Sequence, residues 1–489
     1  VLFPNIHARI GGLMRPNRAG LLAALIIMTG MTVWAAPVAT PKVTGPIPSP
    51  AKPGDPSRNY PFFSAKHLVE KYDYVEEEFF VEGLAVQYLR DGERTATVAS
   101  GGPHAYKTRV IVRRPKSASK FNGTVILEWI NAVPGRPYDF ETDWNLSYEH
   151  LMRRGFAHAG ASVQTAGIHS PTGLKAWNPA RYGSLDVTRE GKFVNNELSV
   201  AVFSQIAQAL KDPSGTALLG NLKVKNVIAT GQSASAVQLT MYYNSIHPLD
   251  SVVDGFVLHG PVVGGPVRTD LRTPVWKLLA ETDVIRGQAA IRQPDSDYFR
   301  TWEVAGASHL DWFSGSAHEQ LRARDLAPGN SSQAEPCERP GRSRVPAYLV
   351  QDAVYDWMKQ WVEGKTRPPH APRITMSSIG KAGNDQEARF SVAARDEHGN
   401  ALGGIRLAQF AVPTARNTGL NEGQAFCRMY GSHEPFDAAT ITRLYPSRAM
   451  YISEVNRITD ENLNAGYITK EGAAQTRKDA AQWKSPGGK

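Results

Sequence analysis

The chain has 489 residues, 42% of them hydrophobic and 21% charged, with a formal net charge of +9. This is an ordinary globular composition, long enough for one large catalytic domain with additions or for two domains. The cations form no dense Lys/Arg run and do not interleave with aromatics, and Arg9, Arg15 and Arg18 fall in a segment expected to be removed. The charge therefore points to a mildly basic surface and away from nucleic-acid binding.

At the N-terminus, Arg15 and Arg18 precede the apolar run 21–34, and small residues follow at Ala35, Ala36 and Ala39. This is the order of a signal peptide over residues 1–36, for which Met14 makes a better start than Val1. The apolar run is short for a membrane span and is soon followed by proline. Export to the periplasm or medium is expected, with no stable membrane insertion after removal; a retained N-terminal anchor is the alternative. The Pro-rich stretch 37–56 reads as an unfolded linker.

Residues 79–89, 95–100 and 107–112 alternate with the period of antiparallel strands. Next, 123–130 (G-T-V-I-L-E-W-I) is a continuous apolar run of the kind buried on both faces of a parallel sheet. A loop rich in Gly and Pro, 132–142, leads into helical spacing over 144–153, and 156–163 is another buried strand. The long connection 164–195, with His169, Trp177 and Tyr182, has the length of a lid or binding loop. Helical spacing returns at 195–210. Strands are predicted at 226–229, 252–258, 274–279 and 298–304, and an amphipathic helix at 347–361. This alternation predicts an α/β fold with a mostly parallel, doubly wound sheet over a core of 57–363. The turn-rich remainder, 364–489, reads as an appendage packed on that core. Two cysteines, Cys337 and Cys427, are expected to form one disulfide tying it down; without C-x-x-C spacing a zinc site is not indicated.

In such sheets the working residues sit at the C-terminal ends of strands. The stretch V-I-A-T-G-Q-S-A-S-A passes from strand to helix with Ser233 on the corner, the arrangement of a nucleophile elbow. Crowding there demands small residues two positions away on either side, and Gly231 and Ser235 satisfy it, although the usual pattern ends in Gly. The bare triplet G-x-S recurs at Gly160, Gly306, Gly329 and Gly341, but only the copy at Gly231 joins a strand pattern to a helix pattern. The bland reading of Ser233 is a helix N-cap. After the strand 274–279 come Glu281 and Asp283; a carboxylate here would orient an imidazole. The usual spacing after a small residue selects Asp283, with Glu281 remaining open. After 298–304 comes A-G-A-S-H-L-D, with His309 as candidate general base. His259 and His318 are the runners-up. The chain order Ser, acid, His is the one this fold uses. Backbone N–H groups of Ala234 and of Ala132, in the loop after the strand 123–130, are placed to form an oxyanion hole.

The runs L-E-W-I-N-A, R-R-G-F-A-H-A-G-A-S-V-Q-T-A-G-I, R-Y-G-S-L, G-Q-S-A-S-A, R-Q-P-D-S-D-Y-F-R-T-W-E-V-A-G-A-S-H and G-N-A-L-G-G-I-R resemble a family of large α/β-hydrolase-domain proteins. The likeness spans about residues 75–460, appendage included. It implies an α/β-hydrolase fold and an esterase-like serine hydrolase, with the nucleophile at Ser233 and the histidine at His309. That family commonly has Gln after the nucleophile, where this chain has Ala234.

The expected function is therefore an exported serine hydrolase cleaving small-molecule or polymeric carboxylic esters through an acyl-enzyme, with no metal or organic cofactor. Acyl transfer, amide or lactone cleavage, and a binding protein without turnover are the alternatives on the same residues. Trp129, Trp177 and Trp312 could line an aromatic pocket or simply fill core.

Overall fold

The computed structural model describes residues 38–484 apart from 93, 213–217, 262, 327–336, 384, 386 and 425. The expected signal peptide lies outside the described residues. The fold is built on a nine-stranded sheet. In chain order its strands are β1 (Lys42–Thr44), β2 (Tyr74–Ala85), β3 (His104–Pro115), β4 (Thr124–Trp129), β5 (Ala157–Ala161), β6 (Asn226–Gln232), β7 (Gly255–His259), β8 (Val275–Ala280) and β9 (Phe299–Val304). In space they run β1-β2-β3-β5-β4-β6-β7-β8-β9. The first three are antiparallel to their neighbours, and β5 through β9 are parallel. This is the mostly parallel, doubly wound sheet that the strand–helix alternation predicts, and it agrees with the α/β-hydrolase fold that the resemblance implies.

The parallel strands are apolar on both sides because both faces are covered. Along β4, Val125, Leu127 and Trp129 enter one core while Ile126 enters the other; along β6, Val227 and Ala229 oppose Ile228. The first core is closed by the helix Ser199–Lys211. The second is closed by α1 (Thr142–Arg153) and α2 (Tyr348–Val362), and also by Ile374, Ile405, Phe410 and Ala473 from the C-terminal part. The C-terminal residues thus complete a core shared with the sheet. Backbone bonds extend the join: Ile405 donates to Glu303 O at 2.7 Å and Ala305 donates to Ile405 O at 3.0 Å. Cys337 and Cys427 form a disulfide across 90 residues.

Three stretches differ from the sequence reading. The strand predicted at 79–89 starts earlier and ends at Ala85, after which Tyr88–Asp91 pairs with Thr95–Val98 as a separate hairpin. The Pro-rich stretch expected to be an unfolded linker supplies the edge strand β1, and Ile47 donates to Glu78 O at 2.7 Å. An edge strand needs only one side paired, so the neighbouring prolines are tolerated there. The long connection 164–195 folds into three short helices whose Trp177 and Tyr182 are buried against Tyr60, Phe62 and Phe63.

Glu78 holds this last cluster. It accepts from Arg109 Nε at 2.6 Å, Arg181 Nε at 2.7 Å and Tyr182 Oη at 2.8 Å, and Glu78 and Arg109 are each only 1% exposed. Removing one partner of a buried pair strands the others without water. Glu78→Ala should lower stability by about 3–5 kcal/mol, read by urea unfolding of the oxidised chain. A loss below about 1 kcal/mol would contradict the assignment.

Candidate active site

Ser233 lies between the end of β6 and α3 (Ala234–Met241), with φ 63° and ψ −121°, a backbone that non-glycine residues adopt only when their surroundings enforce it. The enforcement is visible. Ser233 N–H donates to His259 O at 2.9 Å, on the neighbouring strand, and Val237 N–H returns to Ser233 O at 3.1 Å. A Cβ at Gly231 would stand 2.9 Å from Ser235 Cβ, so the two small residues flanking the corner pack on each other. Ser235 also has a use that glycine would not: its hydroxyl accepts from Gln164 Nε2 at 3.0 Å, and the same amide donates to Ile130 O at 3.2 Å. The departure from the usual G-x-S-x-G ties the corner to the end of β4.

Asp283 and His309 meet. One Asp283 oxygen accepts from Ala280 N–H at 2.8 Å, capping the short helix Glu281–Ile285, and the other lies 2.7 Å from His309 Nδ1. Both side chains are buried. Glu281, left open by the sequence, is used differently: it accepts from Gly306 N–H, Gly419 N–H and Arg395 Nη2, joining the His309 loop to the C-terminal part. His309 Nε2 has the Gln232 carboxamide nitrogen at 3.0 Å. A donor at Nε2 and a carboxylate at Nδ1 fit the tautomer with the proton on Nδ1.

Ser233 and His309 open on one cavity of about 140 Å³, lined also by Asn131, Arg136, Phe140, Gln232, Phe426 and Met429. Ala132 lies in the hairpin Asn131–Val133/Arg136–Phe140, whose first strand packs on α3. Ala234 is the first residue of α3, where N–H groups have no partner inside the helix. Phe426 and Met429 come from the C-terminal part beside Cys427, and Met429 O accepts from Leu310 N–H at 2.9 Å. Neither the connection 164–195 nor Trp129, Trp177 or Trp312 lines this cavity. Trp129 and Trp177 are core, and Trp312 faces solvent.

His259, a runner-up in the sequence, forms a second pair behind the first. Its Nδ1 lies 2.7 Å from Asp143 Oδ1, and Asp143 also accepts from Gln351 Nε2 at 2.9 Å and Thr230 Oγ1 at 2.7 Å. Burial opposes the charged ring. The Asp143 carboxylate, helped by Asp283 and Asp311, outweighs it and raises His259 above its ordinary value. Asp311 itself is pushed up to about 6 by burial. Further back, Glu128 accepts the N–H groups of Asp143 and Trp144 that open α1, and His158 Nε2 lies 3.0 Å away. Burial and the Asp143 and Glu141 carboxylates lift Glu128 well above the usual range, while burial and the Arg113 guanidinium hold His158 well below its own. The other runner-up, His318, belongs to the helix Trp312–Asp325. Among the described residues no group of His, Cys, Asp and Glu is arranged to hold a metal ion.

Gly260 follows His259 with φ +59°, and a Cβ there would stand 2.9 Å from Asp283 Oδ2 and 3.1 Å from His309 Nδ1. The Asp–His pair therefore needs glycine for both backbone and space. Gly260→Ala should part the pair, seen as loss or upfield movement of the imidazole Nδ1 proton resonance at low temperature. An unchanged resonance would show that the pair does not depend on this close approach.

The model of the family described as alpha/beta hydrolase domain matches residues 43–478. No curated protein matches the sequence. Among solved structures, a dienelactone hydrolase candidate from Klebsiella pneumoniae subsp. pneumoniae MGH 78578 is 12% identical, with 50% of this chain and 97% of that one covered and a TM-score of 0.27. Brefeldin A esterase, a bacterial homologue of human hormone sensitive lipase, is 11% identical, with 39% and 41% covered and a TM-score of 0.22, so this chain spans less than half its length. A glucuronoyl esterase from Solibacter usitatus is 9% identical, with 52% and 82% covered and a TM-score of 0.25. On the family match, which takes in the sheet, the Ser233 corner and most of the C-terminal part, the chain belongs to the alpha/beta hydrolase domain family.

Proposed function

We propose that this protein is an exported serine hydrolase that cleaves carboxylic esters through an acyl-enzyme. The observation that carries the reading is the convergence of a strained Ser233 corner and the buried Asp283–His309 pair, 2.7 Å apart, on one cavity. Ser233 Oγ attacks the acyl carbon and His309 Nε2 takes its proton, while Asp283 keeps the second ring proton on Nδ1 and stabilises the imidazolium. Charge gathering on the carbonyl oxygen is met by the N–H groups of Ala234 and Ala132. His309 then returns the proton to the leaving alcohol, and water repeats the sequence on the acyl-enzyme. For the first step the Ser233 hydroxyl takes over the place at Nε2 that the Gln232 amide occupies, a tightening usual when substrate enters. Export is supported by the Cys337–Cys427 disulfide, a bond that persists in oxidising compartments. No helix among the described residues is long and apolar enough to cross a membrane.

One observation favours a second reading. The Gln232 contact blocks the proton acceptor, as would suit a binding protein without turnover. A panel of 4-nitrophenyl esters separates the two. Turnover by the wild type should fall at least about 10³-fold in Ser233→Ala and in Asp283→Asn. Equal hydrolysis by wild type and Ser233→Ala would remove Ser233 from the chemistry.

A further inference from the structure

Among the described residues, the cavity above Ser233 is lined by one cationic side chain, Arg136, and by no Asp or Glu. Arg136 is half-buried on the hairpin that also carries Ala132. Its guanidinium lies 4.6 Å from the centre of the Phe426 ring, and its Nη2 donates to Tyr430 Oη at 3.0 Å. It forms no ion pair with a carboxylate among the described residues. By contrast, the deeply buried arginines of this chain, such as Arg109 and Arg113, face carboxylates at 2.5–2.8 Å.

The wall is also held in place. Phe426 and Tyr430 flank Cys427, which is bonded to Cys337, and Tyr430 O accepts from Ser343 N–H at 3.0 Å. A guanidinium stacked on an aromatic ring loses little freedom when it takes a partner. Its natural partner is a planar carboxylate, which it binds through two parallel N–H groups. A space of about 140 Å³, against roughly 10–15 Å³ needed to hold one water, has room for a short chain beside Ser233.

Resting on the serine-hydrolase reading above, we propose that the substrates are esters whose short acyl part ends in a carboxylate, and that Arg136 is the group that recognises it. Attack at the ester carbonyl proceeds as for any acyl group; the distal carboxylate stays ionised and is neither formed nor consumed. Arg136 then acts on binding, while Ser233, His309 and Asp283 act on the bond.

The test compares 4-nitrophenyl hydrogen glutarate with 4-nitrophenyl pentanoate, esters matched in chain length and differing in charge. Release by the Ser233→Ala chain is subtracted as background. The ratio of kcat/KM for the anionic over the neutral ester should fall at least tenfold in Arg136→Gln, chiefly through KM, and only in part in Arg136→Lys. In the wild type it should also shrink as salt is raised, because the mouth of the cavity is open to screening. A ratio equal in wild type and Arg136→Gln overturns the proposal and leaves the hydrolase reading standing. If Arg136→Gln melts far below the wild type, Arg136→Lys carries the comparison. If neither ester turns over, labelling rates of a carboxylate-tailed and an alkyl-tailed 4-nitrophenyl phosphonate give the same ratio. Labelling with an unaltered ratio overturns the Arg136 assignment alone, and absence of labelling by both overturns it together with the hydrolase reading.

Discussion

Holding Ser233 at a positive φ costs on the order of 1–3 kcal/mol, and the conformation persists only because its neighbours leave no other. Three constraints act at once. The register of β6 against β7 fixes the Ser233 N–H on His259 O; Gly231 and Ser235 close on each other beneath the turn; and Gln164 draws Ser235 toward the end of β4. Each belongs to a different element, so the corner is strained locally and enforced by the sheet as a whole. The strand order matters for the same reason, since it makes β4 and β7 the two neighbours of β6.

Behind the corner lies a chain of buried ionisable groups. Arg113 pairs with Glu76 and Glu141 and approaches His158; His158 meets Glu128; Glu128 caps the start of α1, where Asp143 holds His259. Burying so many ionisable groups is expensive unless every one is partnered. Here the N-terminus of α1 supplies two N–H donors to the Glu128 carboxylate, in the sense expected of a helix dipole, while Thr230, His259 and Gln351 satisfy Asp143. The result is a rigid floor under His259 and Gly260, the residues against which Asp283 and His309 pack. The C-terminal part completes the opposite side: Glu281 bonds Gly419 and Arg395, and Met429 holds Leu310 beside His309.

Much of the frame was legible in the sequence because it follows from local pattern. Apolar runs bounded by Gly or Asn mark strands buried on both faces, and strand ends are where this architecture places polar side chains. That logic brings out Ser233, His309 and the acids Glu281 and Asp283 from linear order alone, with the spacing after Ala280 favouring Asp283 and leaving Glu281 open. Both follow β8, and only the turn of the short helix decides which carboxylate faces the imidazole. Partners distant in sequence left no comparable signal. Asp143 and His259 are 116 positions apart, and Arg136 meets Tyr430 across 294. Gln232 was hidden inside the motif itself, as the unspecified residue before the serine. The stretch 37–56 was misread because its prolines suggest a linker, whereas one strand edge with a single paired side accommodates them. The connection 164–195 has the length of a lid, yet its aromatic side chains are spent on packing with Tyr60 and Phe62.

The central claim is that Ser233 is a nucleophile activated by the Asp283–His309 pair. Its most direct test is to treat the purified protein with an alkyl fluorophosphonate and map the adduct by peptide mass spectrometry. The account predicts a single stoichiometric adduct on the peptide carrying Ser233, formed far more slowly when His309 is replaced by Gln. An adduct on another residue, or none under conditions that label an ordinary serine esterase to completion, would contradict it.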